Sequence, residues 1–464
     1  MDLWRESALS LAQLIRSGEV SSREVVASHL DRIDAVNDDV NAVVEVRPDE
    51  ALAEADRADA ALRAGGALGA LHGVPFTTKT NIDVAGYATT QGSFALADLM
   101  ASVDAPLVER MRNAGAVMLA RTNMPDLGLR LNTESSLYGP THNPWRRGYT
   151  AGGSSGGEAA ALASGLSPIG FGNDIGGSLR NPAFCCGVAS IKPSRGRVAA
   201  QDSSSILERG LSEQVMLVDG VLARHVGDVR RGLEIVMGAH RADPQSVDVP
   251  LHGPPTSKRV ALVPEPFGGD TDPEIAEGVR RAGRVLQEAG YDVEEIEPPR
   301  VLDTYLTWAE FMTTSLADIP IPLDMVLGPD ALRFLELSTE DFSVVPTMRA
   351  AAVLQQTRFG IGRAWREFFT TYPLIVGPTW TLPPFPLGYD IQDKESAMRV
   401  LETVRFVLPA NLLGLPAACV PVGFAKDLPT GVQVIGDLFR EDLCLNAAEA
   451  IEQGLGVFTP IDPR

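Results

Sequence analysis

The stretch that decides the fold is Tyr149–Arg180, which reads YTAGGSSGGEAAALASGLSPIGFGNDIGGSLR. It contains two turns of small residues, Gly152–Gly157 and Asp174–Ser178, and each lies next to an apolar segment. Adjacent glycines can take positive φ and turn several backbone N–H groups toward one point, which creates a site for an anion. A serine in such a turn lies beside donors for a developing oxyanion, and acyl transfer requires this arrangement.

Other functions of glycine-rich turns fit the sequence poorly. A flexible linker would not be enclosed by apolar segments, and the phosphate-binding pattern GxxxxGK[ST] does not occur. The dinucleotide pattern fails because Ile175 stands where its third glycine is needed. Gly152–Gly156 matches the G-x-S-x-G elbow of α/β-hydrolases, but that fold needs an apolar strand before the elbow and a late histidine. Here the elbow follows WRRGY at Trp145–Tyr149, and the last histidine is His252.

With no histidine placed to serve the serines, a lysine is the candidate base. The sequence has five lysines, and none has a serine three residues before it, so the S-x-x-K pattern is absent. Lys79 ends an apolar, β-prone run that begins near Leu71 and contains no acidic residue. A lysine at the end of a buried strand loses hydration, which lowers its pKa and makes it basic near neutral pH.

Several motifs at fixed spacing resemble the amidase signature family, and the resemblance runs over nearly the whole chain. The family's G-x-P strand with its following lysine, its GGSSGG turn and its D-x-GGS-x-R-x-PA segment stand at Gly73–Lys79, Gly152–Gly157 and Asp174–Ala183. Lys79 and the serine at position 154 are 75 residues apart, and 24 residues separate that serine from the one at position 178. These separations agree with the family pattern.

The resemblance implies a Ser-cisSer-Lys triad. Ser178 is the expected nucleophile, Ser154 the bridging serine held by a cis peptide bond, and Lys79 the base. The oxyanion is expected to be held by the backbone N–H groups of Ile175, Gly176, Gly177 and Ser178. In this scheme the leaving amine receives a proton through Ser154, and water hydrolyses the acyl-enzyme. No metal and no other cofactor is expected.

A substrate-binding segment is also implied by the resemblance. Arg121–Pro125 is similar to the family's T-N-x-P segment, and the residues after it line the acyl pocket in the family. These residues map to Gly128 and Leu129, where a glycine would leave unusual room next to the nucleophile. The alternative is a simple turn glycine.

Composition indicates the class of protein. The chain has 464 residues, of which 45% are hydrophobic and 22% charged, as expected of a soluble globular protein with a large core. A net charge of −20 argues against nucleic-acid binding. The charged N-terminus is unlike a signal peptide, no long apolar run predicts a membrane span, and four cysteines make no disulfide framework. We therefore predict a cytoplasmic bacterial-type enzyme without membrane or nucleic-acid partners. The family resemblance implies that it is similar to stand-alone bacterial amidases, and we expect a monomer or homodimer.

The predicted fold is α/β, with one amidase-signature-type domain over residues 1–464 and a central mixed β-sheet flanked by helices on both faces. Residues 1–65 are expected to be N-terminal helices, one of which starts at the capping-box pattern Ser21–Glu24. Residues 66–200 are expected to be the catalytic signature core, and 300–390 a less regular, aromatic-rich region that shapes a substrate funnel. The Ser-rich loop 201–214 is either exposed filler or a mobile lid. Residues 404–411, 414–417 and 431–436 are expected to form closing strands.

The predicted function is a serine hydrolase that cleaves C–N bonds of small neutral amides, with carbamates (urethanes) and esters as related substrates. A first alternative is the glutaminase subunit of a tRNA-dependent amidotransferase. The segment Y-N-x-x-R-Y-D-G-x-R-Y-G associated with that subunit is not seen, because the corresponding region reads VLQQTRFG at Val353–Gly360. A second alternative, a catalytically inactive binding protein, is disfavoured by the intact Lys79, Ser154 and Ser178.

Overall fold

The computed structural model describes residues 2–205, 208–317, 319–340 and 347–464. The strands of these ranges, in chain order, are β1 Val43–Val46, β2 Pro75–Lys79, β3 Val117–Thr122, β4 Glu134–Ser135, β5 Gly139–Pro140, β6 His142–Asn143, β7 Arg146–Thr150, β8 Ile169–Asp174, β9 Ala189–Lys192, β10 Val218–Ala223, β11 Arg259–Leu262, β12 Asp292–Glu295, β13 Leu374–Pro378, β14 Ala417–Ala425 and β15 Leu428–Gly436.

The helices of the same ranges are α1 Ala8–Ser17, α2 Ser22–Val40, α3 Pro48–Arg63, α4 Pro106–Asn113, α5 Gly156–Ala163, α6 Arg180–Cys186, α7 Leu211–Met216, α8 Val226–Val236, α9 Pro273–Glu288, α10 Val301–Ala317, α11 Pro329–Thr339, α12 Met348–Phe369, α13 Lys394–Thr403, α14 Leu408–Leu412 and α15 Glu441–Leu455. Within the described ranges, none of them is long and apolar enough to cross a membrane.

Eleven strands form one mixed sheet in the order β1-β3-β2-β8-β10-β9-β14-β15-β13-β11-β12. The strands β3, β2 and β8 run parallel to one another, as do β13, β11 and β12, whereas β10, β9, β14 and β15 pair antiparallel. The four short strands β4–β7 form two separate two-stranded pairs. The predicted single α/β domain with a central mixed sheet is therefore confirmed.

Helices cover both faces of this sheet. Since alternate residues of each strand point to opposite faces, each strand contributes apolar side chains to the packing on both sides. In β14, Ala418 and Val420 pack into a core cluster that contains residues of α1, α4, α8, α9 and α15. Cys419, between them, packs on the other side with residues of α2, α5 and α6. A third cluster, from α10, α12 and α14, covers that second face further along the sheet.

The N-terminal region contains a strand that the helical prediction for residues 1–65 missed. The predicted helices are present, and the capping box forms, since Ser21 and Glu24 exchange side-chain-to-backbone hydrogen bonds at the start of α2. However, Asn41 takes a left-handed φ of 49° and ends α2, and Val43–Val46 then pairs antiparallel with β3. The β-branched residues of this short run favour a strand.

Two predictions for the C-terminal half are wrong. Residues 300–390 are regular in their described part, where α10, α11, α12 and β13 occupy most of the segment. Residues 404–411 form no closing strand, because Leu408–Leu412 is a short helix. The other two predicted segments do lie at or in strands, β14 from Ala417 and β15 through Gly436, and these form a hairpin whose two turn residues have positive φ.

The Ser-rich loop 201–214 is held to the catalytic region by hydrogen bonds. Ser203 and Ser204 donate to the carboxylate of Asp83, which lies shortly after β2, with distances of 2.6 and 2.8 Å. Helix α7 starts within the loop, at Leu211. Residues 206 and 207 of this loop and residues 318 and 341–346 of the predicted funnel region lie outside the described residues. The lid remains a hypothesis.

Candidate active site

The parallel strands β2 and β8 bring two polar side chains to one edge of the sheet. Lys79 is the last residue of β2, and Asn173 stands near the end of β8. Because neighbouring parallel strands end at the same edge, these residues meet. The Lys79 ammonium nitrogen donates to Asn173 Oδ1 at 2.8 Å and to Ser154 Oγ at 2.7 Å. The sequence predicted Lys79 and Ser154 as partners but missed Asn173.

The two serine turns lie against each other. The Gly153–Ser154 peptide bond is cis. The N–H of Ser155, next in the first turn, donates to the backbone oxygen of Ser178 in the second turn at 3.3 Å. Ser154 and Ser178 are 3% and 5% exposed. The structure therefore brings all three predicted triad residues into one nearly buried region.

Burial lowers the pKa of Lys79 to about 7, because the ammonium ion loses its hydration. The charges of Asp174, Asp219 and Glu158 oppose this shift, since each stabilises the protonated form. The lysine is therefore neutral in a large fraction of molecules near neutral pH. A neutral amine can accept a proton, so Lys79 is able to act as a base on Ser154.

A buried carboxyl group at Glu158 was not predicted as part of this region. Glu158 accepts hydrogen bonds from the hydroxyls of Thr77 in β2 and Thr122 in β3, the latter at 2.8 Å. Burial raises the pKa of Glu158 to about 7, although both threonines and Lys79 favour its ionised form. Gly170 in β8 makes room for it, because a Cβ there would overlap the carboxyl group.

A buried ion pair supports the Asp174–Ser178 turn. The carboxylate of Asp174 accepts hydrogen bonds from Arg180 Nε at 3.0 Å and from Asn411 at 2.7 Å. Burial alone would raise the pKa of Asp174, but the charge and hydrogen bonds of Arg180, with help from Lys192 and Asn411, hold it at about 2. Arg180 also donates to Gln433 in β15 at 2.7 Å. The turn is thus attached to the distant closing strands.

The N–H groups expected to hold the oxyanion are not all free. The N–H of Gly177 donates to Asp174 Oδ1 at 2.7 Å, so it is already used within the chain. Among the described residues, the N–H groups of Ile175, Gly176 and Ser178 have no acceptor. The inclusion of Gly177 in the predicted set is therefore wrong, since its N–H is bonded to a carboxylate, and the other three N–H groups stay a prediction.

The segment after β3 lies directly beside the bridging serine. Gly128 has a φ of 73°, and a Cβ built on it would lie 3.2 Å from Ser154 Oγ and 3.6 Å from Met124. The glycine therefore permits a close approach to Ser154 and does not leave the open room that the sequence suggested. Leu129 packs into an apolar cluster with Val326 and Leu327 of the region before α11.

Lys192, the other buried lysine of the sheet, donates to the backbone oxygen of Leu415 at 2.8 Å, as expected of a structural residue.

Within the described part of the chain, no group of three or more His, Cys, Asp or Glu side chains could hold a metal ion. All four cysteines are buried and unpaired.

The mixed sheet and the serine–lysine site define a hydrolase that acts on carbon–nitrogen bonds of amides. Residues 24–445 match the amidase family, and the chain belongs to it. Indoleacetamide hydrolase from Bradyrhizobium diazoefficiens is 42% identical to it, over 98% of this chain and 87% of the relative. A glutamyl-tRNA(Gln) amidotransferase subunit from Moorella thermoacetica is 35% identical over 98% and 97% of the two chains.

The fold also matches solved structures. The structure of 6-aminohexanoate cyclic dimer hydrolase complexed with substrate superposes with a TM-score of 0.85, is 29% identical, and covers 98% of both chains. The similarity therefore extends over nearly the whole chain. The amidase family resemblance expected from the motifs is confirmed.

Proposed function

We propose that this protein hydrolyses a small neutral amide with an aryl-bearing acyl group, through an acyl-enzyme on Ser178. The observation that carries the proposal is the 2.7 Å contact between Lys79 Nζ and Ser154 Oγ, made by a lysine whose pKa burial lowers to about 7. This pair supplies a base and a proton relay next to a second serine, so the reaction needs no histidine base.

The proposed steps pass protons between Lys79, Ser154 and Ser178. Neutral Lys79 takes the hydroxyl proton of Ser154 while Ser154 takes that of Ser178, and Ser178 Oγ bonds to the acyl carbon. The oxyanion accepts hydrogen bonds from the free N–H groups of the Ile175–Ser178 turn. When the carbon–nitrogen bond breaks, Ser154 gives a proton to the leaving amine and regains one from Lys79, which becomes neutral again. Water then gives a proton to Lys79 through Ser154 as it adds to the acyl carbon, and the same proton returns through Ser154 to Ser178 Oγ as the acid leaves.

The relatives and the surroundings of Ser154 support an aryl substrate. The 42% identical relative is named an indoleacetamide hydrolase. Leu127 and Leu129 flank Gly128 and pack with apolar residues of 323–335 in one cluster. Apolar surroundings favour burial of a substrate by about 0.8 kcal/mol per CH₂, so an arylacetamide should be preferred over acetamide. The net charge of −20 disfavours polyanionic substrates.

Carbamates and esters are further candidate substrates of the same site. Both form a tetrahedral intermediate at an acyl carbon, and both would use the same nucleophile and N–H donors. Esters need less protonation of the leaving group than amides do, so they should depend less on Lys79 and Ser154.

A second candidate is glutaminase activity within a tRNA-dependent amidotransferase. The similarity to the Moorella thermoacetica amidotransferase protein, over 97% of its length, favours this candidate. The region Val353–Gly360, in which the characteristic segment of the glutaminase subunit is not seen, forms part of helix α12. Glutamine as the best substrate in a panel would support this candidate over the arylamide.

The test compares wild type with Ser178→Ala on arylacetamides, aliphatic amides, glutamine, aryl carbamates and esters. We expect Ser178→Ala to lose turnover on every substrate and to keep its circular dichroism and thermal unfolding. Ser190→Ala is the matched control, since Ser190 is also a buried serine but lies in β9 with an unpaired hydroxyl. Mass spectrometry of a quenched reaction should find the acyl group on the peptide containing Ser178. Wild-type-like turnover by folded Ser178→Ala protein would refute the assignment.

A further inference from the structure

The Asp174–Ser178 turn consists of peptide planes that are fixed from several directions. In the plane between Gly176 and Gly177, the carbonyl accepts from Asn181 Nδ2 at 3.0 Å and the N–H donates to Asp174 at 2.7 Å. In the next plane, the carbonyl of Gly177 accepts from the N–H of Asn181 at 2.6 Å. Both planes are therefore held by residues of the turn and of the start of α6.

The plane between Ile175 and Gly176 is held by a residue from a different part of the chain. The indole N–H of Trp308, in α10, donates to the carbonyl of Ile175 at 2.8 Å. The same ring lies against Gly176, where a Cβ would come within 2.7 Å of the indole carbon Cζ2. Trp308 thus contacts this plane both by a hydrogen bond and by packing.

Trp308 is half-buried and is supported by the core. It packs against two core clusters, one with residues of α5 and α6 and one with residues of α12 and α14. Such a position leaves the indole little freedom to follow a moving turn. The tryptophan therefore constrains the turn, because the ring is anchored in the core at its other side.

A trans peptide unit points its carbonyl and its N–H in opposite directions. When Trp308 holds the Ile175 carbonyl on its own side, the N–H of Gly176 must point away from the indole. That N–H has no acceptor among the described residues, and neither has that of Ser178. The N–H groups of Gly176 and Ser178 are therefore free donors, and each lies opposite a bonded carbonyl of its own peptide plane.

We propose that Trp308 is a positioning residue for the reaction: its hydrogen bond to Ile175 aims the Gly176 N–H at the oxyanion. This inference rests on the proposed function, in which the turn stabilises the tetrahedral intermediate. A donor fixed in advance needs no reorganisation when charge develops on the substrate oxygen, so its orientation affects the transition state more than the bound substrate.

The test is Trp308→Phe, which keeps an aromatic ring against Gly176 and removes the N–H donor. On a neutral arylacetamide we expect kcat to fall about tenfold to a hundredfold, less than the roughly 10²–10³-fold cost of losing an oxyanion donor altogether. KM should change by less than about threefold, since ground-state binding does not use this donor. An arylalkyl boronic acid, which forms a tetrahedral anion on the serine, should lose affinity in proportion to kcat.

Trp365→Phe is the matched control, because Trp365 also donates its indole N–H to a backbone carbonyl, that of Pro299, at 2.8 Å. It lies in the α12 core cluster, and its indole N–H is bonded to Pro299 and not to the Ile175–Ser178 turn. We expect this variant to lose stability but to keep kcat. Trp308→Leu repeats the deletion with an apolar side chain that has no donor, and it decides the question if Trp308→Phe does not fold.

Three results would overturn the inference. The first is a wild-type kcat in folded Trp308→Phe, and the second is an equal fall of kcat in Trp365→Phe. The third is a rise in KM of Trp308→Phe with kcat retained. Each would show that Trp308 does not orient the donor. The last result would make Trp308 a wall of the substrate pocket. Ser178→Ala, measured in parallel, separates the two proposals: if it is inactive while Trp308→Phe is normal, only the role of Trp308 falls. If Ser178→Ala retains turnover, both fall.

Discussion

The pH dependence of amide hydrolysis follows from the burial of Lys79. Only the neutral lysine can accept the proton of Ser154, and its pKa is about 7. Below that value, kcat/KM should fall about tenfold per pH unit, since about one tenth of the molecules hold neutral lysine at pH 6 and about nine tenths at pH 8. Activity should therefore rise with pH through about 7 and then reach a plateau.

The assay is kcat/KM from pH 5.5 to 8.5 on an arylacetamide that does not titrate in this range, because this ratio reports the free enzyme. Circular dichroism over the same range must show an unchanged fold. Two buried carboxyl groups would produce a similar rise of kcat/KM with pH if either had to be ionised for activity. Burial raises the pKa of Glu158 to about 7 and that of Asp219 to about 6. The variants Glu158→Gln and Asp219→Asn separate the three groups.

Removing either negative charge should lower the pKa of Lys79, since both charges stabilise its ammonium form. The rise of kcat/KM with pH should thus move to lower pH in Glu158→Gln and in Asp219→Asn, and it should persist in both variants. A flat profile in the wild type would refute the assignment of Lys79 as the base. A rise that disappears in Glu158→Gln would assign the titration to that carboxyl instead.

The remaining predictions concern three other substitutions. Lys79→Ala should lower kcat/KM about 10²–10⁴-fold on amides and much less on activated esters, because the leaving groups of these esters need no proton. Equal losses on both kinds of substrate would contradict proton transfer through Ser154. Gly128→Ala should lower kcat about tenfold on small and large amides alike, because the added Cβ would lie 3.2 Å from Ser154 Oγ and would displace the serine by a few tenths of an ångström. A loss confined to large amides would restore the open-pocket interpretation. Arg180→Met should lower the free energy of unfolding, measured with denaturant, by about 3–5 kcal/mol, because it leaves the buried charge of Asp174 without its ion-pair partner. The control Arg333→Met, at an exposed ion pair, should have little effect on this free energy.

Local patterns carried much of the fold prediction. The apolar run before Lys79 predicted β2, and the Ser21–Glu24 pattern predicted the start of α2. These signals depend only on residues close in sequence, which is why they could be recognised. The amidase family resemblance then supplied the sheet, because its motifs stand at spacings that no single element explains.

Other features depend on which strands become neighbours, and sequence patterns do not contain that information. Asn173 reaches Lys79 only because β8 lies beside β2, and Glu158 is buried only because Gly170 leaves space for it. The sequence does show a polar residue near the end of the apolar run before Asp174, but only the pairing of β8 with β2 brings Asn173 to Lys79.

The helices of residues 300–390 were missed for a different reason. Helix α12 exposes apolar side chains on the side facing solvent, with Met348 at 88% and Phe359 at 75% exposure. Leu302 and Leu306 of α10 are likewise exposed. Such residues blur the helical period that separates an apolar face from a polar one, so the segment looked irregular.

The links from Arg180 to the C-terminal strands have a consequence for synthesis of the protein. Gln433, one of its hydrogen-bond partners, follows Arg180 by 253 residues. At about 5–20 residues per second, a ribosome adds Gln433 about 13–50 s after Arg180. During that interval the nascent chain holds Arg180 and Asp174 without Asn411 and β15 to complete their surroundings. The turn that carries Ser178 can therefore reach its final shape only when translation is nearly finished, and a polypeptide terminated before β15 should be inactive.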